Sequence, residues 1–193
     1  PVTRAQFVLM LWRMCGKPAA AKAASFADAS TSWYQDALSW AVEKGYVNGL
    51  SDTRFGPDAP ITRQQAMAIL FRLNGGQSGS EQMLTGVYEQ TFTDSGTIAS
   101  WAKDATWWAV YHELVSGTGG SRIAPEANAS RAQIAAILLR YAEDSADGDL
   151  LDAAFGAGFS RPETLRYPKH ILSVCSYLFA RHVDSRRCFR AAV

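Results

Sequence analysis

Shifted by 68 residues against itself, the sequence brings Trp33 onto Trp101, Asp36 onto Asp104, and the WAV of 40–42 onto the WAV of 108–110. The register then runs without a gap through Gly49 on Gly117 and Pro57 on Pro125 to Arg63 on Arg131 and Arg72 on Arg140. Between 33–74 and 101–142, 17 of 42 positions are identical. Self-similarity of this kind marks stacked units that bury a shared core and cannot do so singly. Two shorter matches extend the pattern. FAD at 26–28 pairs with FTD at 92–94 at an offset of 66, and the opening PVTRAQFVLMLWRMCG pairs with PITRQQAMAILFRLNG at 60–75 at an offset of 59. The chain therefore divides into the second half of one unit (1–16), a whole unit (26–75), a linker (76–91), a second whole unit (92–143) and a tail (144–193). Because it opens in the middle of a unit, the lack of a leader peptide says little about export.

Each whole unit reads as helix, loop, helix. In the first helix of the middle unit, Trp33, Ala37, Trp40 and Ala41 share one face, after a Ser/Thr cluster suited to capping. Gly45 ends that helix, with Lys44 in its last turn. The loop NGLSDTRFGPDAP is dense in turn formers and reverses the chain. The second helices begin with Thr3 and Gln6, Thr62 and Gln65, and Ser130 and Gln133, three capping boxes in register. Behind them lie three apolar stripes: Phe7, Met10, Leu11, Met14; Ala66, Ile69, Leu70, Leu73; and Ile134, Ile137, Leu138, Tyr141. Packed together, these stripes predict an all-α, pseudo-threefold domain with the tryptophan-bearing helices covering the outside. The tryptophans read first as core, while one left open beside a groove would suit stacking on a sugar face.

The residue after each cap is arginine: Arg4, Arg63 and Arg131. A cation in the first turn opposes the helix dipole by about 0.3–1 kcal/mol when exposed. Three readings stay open on physical grounds. The side chain reaches away into solvent, it pairs with an acid such as Asp28, Asp36 or Asp58, or it joins free helix amides in holding an anion.

Bulk composition narrows the function classes. At 193 residues, 48% hydrophobic and 19% charged, the chain is globular. Its net charge of +1 provides no field selecting nucleic acid. No apolar run reaches the roughly 18 residues of a membrane span. Cys15, Cys175 and Cys188 form neither a disulfide framework nor a zinc spacing. His112, His170 and His182 match no metal motif, and no nucleophile elbow or phosphate loop is present, so neither an enzyme nor a cofactor is indicated. Two binding readings remain, a glycan-binding module and a helical-repeat module that binds protein.

The middle unit, with F-x-D and then WAVEKGYVNGLSD, PDAPITRQQ and the stripe behind it, resembles the S-layer homology (SLH) domain. The likeness covers residues 1 to about 143. It implies a three-pronged helical prism that anchors exported proteins, without catalysis, to a pyruvylated secondary polysaccharide linked to peptidoglycan at the bacterial cell surface. Carried over residue by residue, it implies ligand contacts from Arg4, Arg63 and Arg131, from Asp28 and Asp94, from Gly49 and Gly117, and from Trp40 and Trp108. A pyruvate ketal bears a carboxylate, which an arginine beside unpaired helix N–H groups would hold. Among these combinations, Arg63 with Asp28 ranks first. The chain departs from the family pattern in SDTRF at 51–55, which lacks a glycine, in GTGGSRIAPEANASRAQ of the last unit, and in glutamine for glutamate at Gln6, Gln65 and Gln133. The long 76–91 link points to a reshaped groove between the two whole units. The tail offers a helical spacing at Ile171, Val174, Leu178 and Phe179, and its last 28 residues are basic, but no function follows.

Overall fold

The computed structural model describes residues 1–30 and 32–144. The tail beyond Asp144, with Cys175, Cys188, His170 and His182, lies outside the described residues, as does Thr31 of the cluster thought to cap the first helix. Among the described residues there are six α-helices: α1 (Arg4–Met14), α2 (Ser32–Glu43), α3 (Arg63–Leu73), α4 (Thr85–Thr91), α5 (Lys103–Tyr111) and α6 (Arg131–Asp144). Among the described residues there is no sheet, only isolated bridges between loop segments. The all-α class and the helical repeats follow the sequence pattern.

All three capping boxes form. Thr3 accepts from the Gln6 amide at 3.3 Å while Gln6 Oε1 accepts from the Thr3 amide at 3.1 Å. The same reciprocal pair joins Thr62 with Gln65 and Ser130 with Gln133. At the other end, α2 closes with the Gly45 N–H on the Val42 carbonyl (3.0 Å) and the Tyr46 N–H on the Ala41 carbonyl (2.8 Å), with Gly45 at φ +72°. The duplicate closes identically after α5, but there the left-handed position is Glu113, at φ +55°.

A closed ring of three backbone hydrogen bonds marks the pseudo-threefold axis. The Val2 N–H donates to Ala129 O (3.0 Å), Ala129 N–H to Ile61 O (2.9 Å), and Ile61 N–H to Val2 O (2.9 Å). These three residues each precede a cap, and all are buried. Around them Phe7, Leu11, Leu70 and Ile134 fill one continuous core, each worth about 1.5–3 kcal/mol of burial. Two helix pairs project from this centre, α1 with α2 and α3 with α5. Helix α6 meets α5 through Trp108 against Tyr141 and His112 against Asp144.

The 76–91 link is more than a connector. Ser80–Leu84 makes a 3₁₀ turn that runs into α4, and α4 lays Tyr88 against Trp107. Short, polar helices of this kind carry too little periodicity to stand out in a sequence. Trp33 also departs from the pattern. The spacing puts it on one face of α2 with Ala37, Trp40 and Ala41, yet it is 49% exposed, and its duplicate Trp101 is 54% exposed. It sits in the first turn with its ring edge-on to Tyr34, ahead of the core that covers Ala37 and Trp40.

Candidate functional site

The arginines of α1 and α3 do not reach into solvent. Each enters the loop of the following unit. Arg4 donates from Nε to Phe55 O (2.9 Å) and from Nη2 to Asn48 O (2.7 Å), and its guanidinium carbon lies 4.7 Å from the centre of the Phe55 ring. Arg63 repeats the first bond, Nε to Ile123 O at 2.8 Å. Their exposures are 6% and 3%. Burial lowers the pKa of both guanidinium groups, and the negative charge of Asp28 on Arg4 and of Asp94 on Arg63 acts against it.

The two aspartates hold the same loops from the other side. Asp28 accepts the Phe55 N–H at 2.7 Å and the Gly56 N–H at 2.9 Å, and Asp94 accepts the Ile123 and Ala124 N–H groups, both at 2.8 Å. For Asp28 the Phe55 amide is the main cause of a lowered pKa. For Asp94 burial pushes upward, but the Ile123 and Ala124 amides, its own amide and the Arg122 charge together leave the pKa lowered. Arg54 and Arg122 flank the carboxylates at 3.8 and 3.6 Å.

The sets brought together are thus Arg4 with Asp28 and Gly49, and Arg63 with Asp94 and Gly117. The combination ranked first, Arg63 with Asp28, is not formed, because each arginine crosses into the next unit while each aspartate serves its own. The free helix amides anticipated beside the arginines are also taken at two of the three helices. Arg4 N and Ala5 N donate to Ala59 O and Pro57 O, and Arg63 N and Gln64 N to Ala127 O and Pro125 O, all at 2.9–3.0 Å. The reason is the turn itself, whose carbonyls dock on the second helix of the preceding unit as the loop folds back. Arg131 stands apart, exposed and without a side-chain partner among the described residues.

The two arginine sites differ in one atom. Arg4 Nη2 is satisfied by Asn48 O, whereas Arg63 Nη2 is buried with no partner among the described residues. The counterpart of Asn48 is Ser116, and the glycine that follows it, Gly117, has turned to φ +95°, a conformation Gly49 does not adopt. A groove of about 250 Å³ opens here, lined by Arg63, Ser116, Gly117, Thr118, Gln133 and Arg140 among others. Arg140, which donates to Leu114 O at 3.2 Å, brings a second cation. The register of Arg72 on Arg140 was the sequence signal for it. The α4 insertion adds no residue to this lining.

The remaining site residues are structural in placement. A Cβ on Gly49 would lie 2.7 Å from the Phe26 ring and 2.8 Å from Arg54 O, and one on Gly117 2.8 Å from Arg122 O. Trp40 packs on Tyr46, and Trp108, 2% exposed, packs on Phe71 and Tyr141, so neither offers a face to a sugar. Among the described residues no cluster of metal-binding side chains occurs, and no helix is long and apolar enough to cross a membrane.

Comparison with known proteins places this arrangement. The family model of the S-layer homology domain matches residues 25–67 and 91–135, the greater part of each whole unit. An endoglucanase of Bacillus sp. (strain KSM-635) is 34% identical over 137 residues, covering 71% of this chain and 14% of its own length. An amylopullulanase of Thermoanaerobacterium thermosulfurigenes is 31% identical over 150 residues, covering 75% and 8%. A surface-layer 125 kDa protein of Lysinibacillus sphaericus is 32% identical over 119 residues, covering 58% and 9%. The chain therefore spans only a small fraction of the length of these relatives. Its duplicated units, with capped helices clamped through arginine and aspartate, belong to the S-layer homology domain family, an anchoring module of the cell surface.

Proposed function

We propose that the groove headed by Arg63 binds an acidic sugar of a pyruvylated secondary cell-wall polysaccharide, and that the chain anchors a larger exported protein to the peptidoglycan-linked polymer without catalysis. The observation that carries this reading is the buried, unpartnered Arg63 Nη2 in an open groove. A buried guanidinium N–H lacking an acceptor is costly, and a carboxylate restores the charge-assisted bond. Nε is already fixed on Ile123 O, so the donor is held in place before the ligand arrives. Arg140 adds positive charge, while Ser116, Thr118 and Gln133 supply groups suited to sugar hydroxyls. Asp94 and Gly117 serve by holding and shaping the loop. The Arg4, Asp28 and Gly49 set is the weaker site, its Nη2 being occupied already. Arg131 takes part only where another loop closes over it. Trp40 and Trp108 belong to the core and touch no ligand.

The test is sedimentation with purified cell-wall sacculi. The protein is expected to pellet with intact sacculi, to stay in solution once the secondary polymer has been extracted, and to lose most of its binding in Arg63→Ala. Pelleting that ignores extraction rules the glycan reading out.

A further inference from the structure

The chain has three asparagines, Asn48, Asn74 and Asn128, and the amide that follows each one is placed differently. The Gly75 N–H donates to Arg72 O at 3.1 Å, and the Ala129 N–H to Ile61 O at 2.9 Å in the central ring. The Gly49 N–H meets no acceptor among the described residues. Asn48 is also exposed, and because a glycine follows it, no Cβ stands between that amide nitrogen and the Asn48 carboxamide. In the other whole unit the same place holds Ser116 and Gly117, which carry no carboxamide.

A second observation falls on the same peptide bond. Its oxygen, Asn48 O, accepts from Arg4 Nη2 at 2.7 Å, and that guanidinium is fixed by its Nε bond to Phe55 O at 2.9 Å. A buried cation on a peptide oxygen draws electron density out of the amide. It eases loss of the nitrogen proton and stabilises the negative oxygen that results. Two adjacent residues thus combine a side-chain electrophile, an unengaged amide nitrogen and a positive charge set in place before any reaction.

We propose that Asn48 is a self-modification site at which the chain converts its own Asn48–Gly49 link into an isoaspartyl–glycine link. Gly49 N gives up its proton and attacks Asn48 Cγ. The N–Cγ bond forms, the bond from Cγ to the carboxamide nitrogen breaks, and that nitrogen leaves with the proton as ammonia. The product is a five-membered succinimide. Water then adds to the main-chain carbonyl carbon, whose oxygen Arg4 polarises, and the bond from that carbon to Gly49 N breaks. The chain now runs through the former side chain, and the former main-chain carbonyl is a free carboxylate facing Arg4. Its acid proton goes to ammonia as ammonium, and nothing is oxidised or reduced. A neutral acceptor on a buried cation has become an anion, which strengthens the contact at Arg4 and leaves the Arg63 site as it was.

The test is incubation of the whole chain at mildly alkaline pH, folded and in urea, followed by tryptic peptide mapping. Asn48 and Asn74 fall on separate peptides, 45–54 and 73–103. Each conversion adds about 1 Da, and methyl transfer by an isoaspartyl-specific methyltransferase counts the isoaspartate. In the folded chain Asn48 should convert about fivefold or more faster than Asn74, with a higher share of isoaspartate than the same peptide gives in urea, where the arginine contact is gone. Arg4→Gln, at a temperature where circular dichroism shows it folded, should give the share seen in urea. Conversion at Asn74 with Asn48 intact, equal rates at the two sites in the folded chain, or an isoaspartate share no higher than in urea would overturn the proposal.

Discussion

Arg63 and Asp94 hold one residue by its two backbone ends: Arg63 Nε–H donates to the Ile123 carbonyl and Asp94 Oδ1 accepts the Ile123 N–H, each at 2.8 Å. Arg63 comes from one unit and Asp94 from the next, so this clamp is also the joint between units. Arg4 and Asp28 do the same to Phe55. A cation that opposes its own helix dipole is thereby explained through a neighbour, its charge satisfied by loop carbonyls and offset by the nearby carboxylate.

The aspartate half of the clamp makes stability depend on pH. The pKa of Asp94 is lowered on folding, so its contribution is present in full above the unfolded value near 4 and is lost as pH falls through the folded value. Asp94→Asn should cost about 1–3 kcal/mol at neutral pH, by leaving an amide donor facing the Ile123 or Ala124 N–H. Urea unfolding at pH 7 and at pH 3 checks this, with the gap between wild type and variant narrowing at the acid end.

The two arginines should separate stability from binding. Arg4 makes two hydrogen bonds and covers the Phe55 ring, whereas Arg63 makes one and leaves Nη2 buried without a partner. Arg4→Ala should therefore lower stability by about 3 kcal/mol and Arg63→Ala by roughly half that. Binding to the wall polymer should rank the other way, with Arg63→Ala the more damaging, as measured by thermal unfolding beside sedimentation with sacculi.

The helix ends offer a paired test of backbone strain. Glu113 holds the left-handed position that Gly45 fills in the preceding unit. Glu113→Gly should stabilise the fold by about 1 kcal/mol and Gly45→Ala should destabilise it by a similar amount, because a Cβ in this region costs about 1–2 kcal/mol. Denaturant midpoints of the two variants, moving in opposite directions, are the readout.

The fold was legible wherever its causes were local. Capping boxes, terminal glycines and apolar stripes act over a few residues, and Thr62, Gln65 and Gly45 do in the structure what their spacing implies. The site was legible in composition but not in pairing. Arg63 is visible as an odd cation, yet its partner Ile123 lies 60 residues away. Nothing in the local pattern says that the arginine crosses into the next unit while Asp28 stays in its own. Periodicity also put Trp33 and Trp40 on one face, although only Trp40 lies deep enough to be covered. The unpartnered Nη2 lies beside a loop in which Gly117 takes φ +95°, a backbone choice that a glycine permits without announcing.

The most direct test of the central claim is calorimetric titration of the extracted wall polymer, before and after removal of its pyruvate groups, into wild type and Arg63→Ala. Loss of pyruvate should weaken wild-type binding by about tenfold or more, the scale of one lost charge-assisted hydrogen bond. It should leave the already weakened Arg63→Ala unchanged. Equal sensitivity to pyruvate in both proteins would contradict the assignment of the acidic group to Arg63.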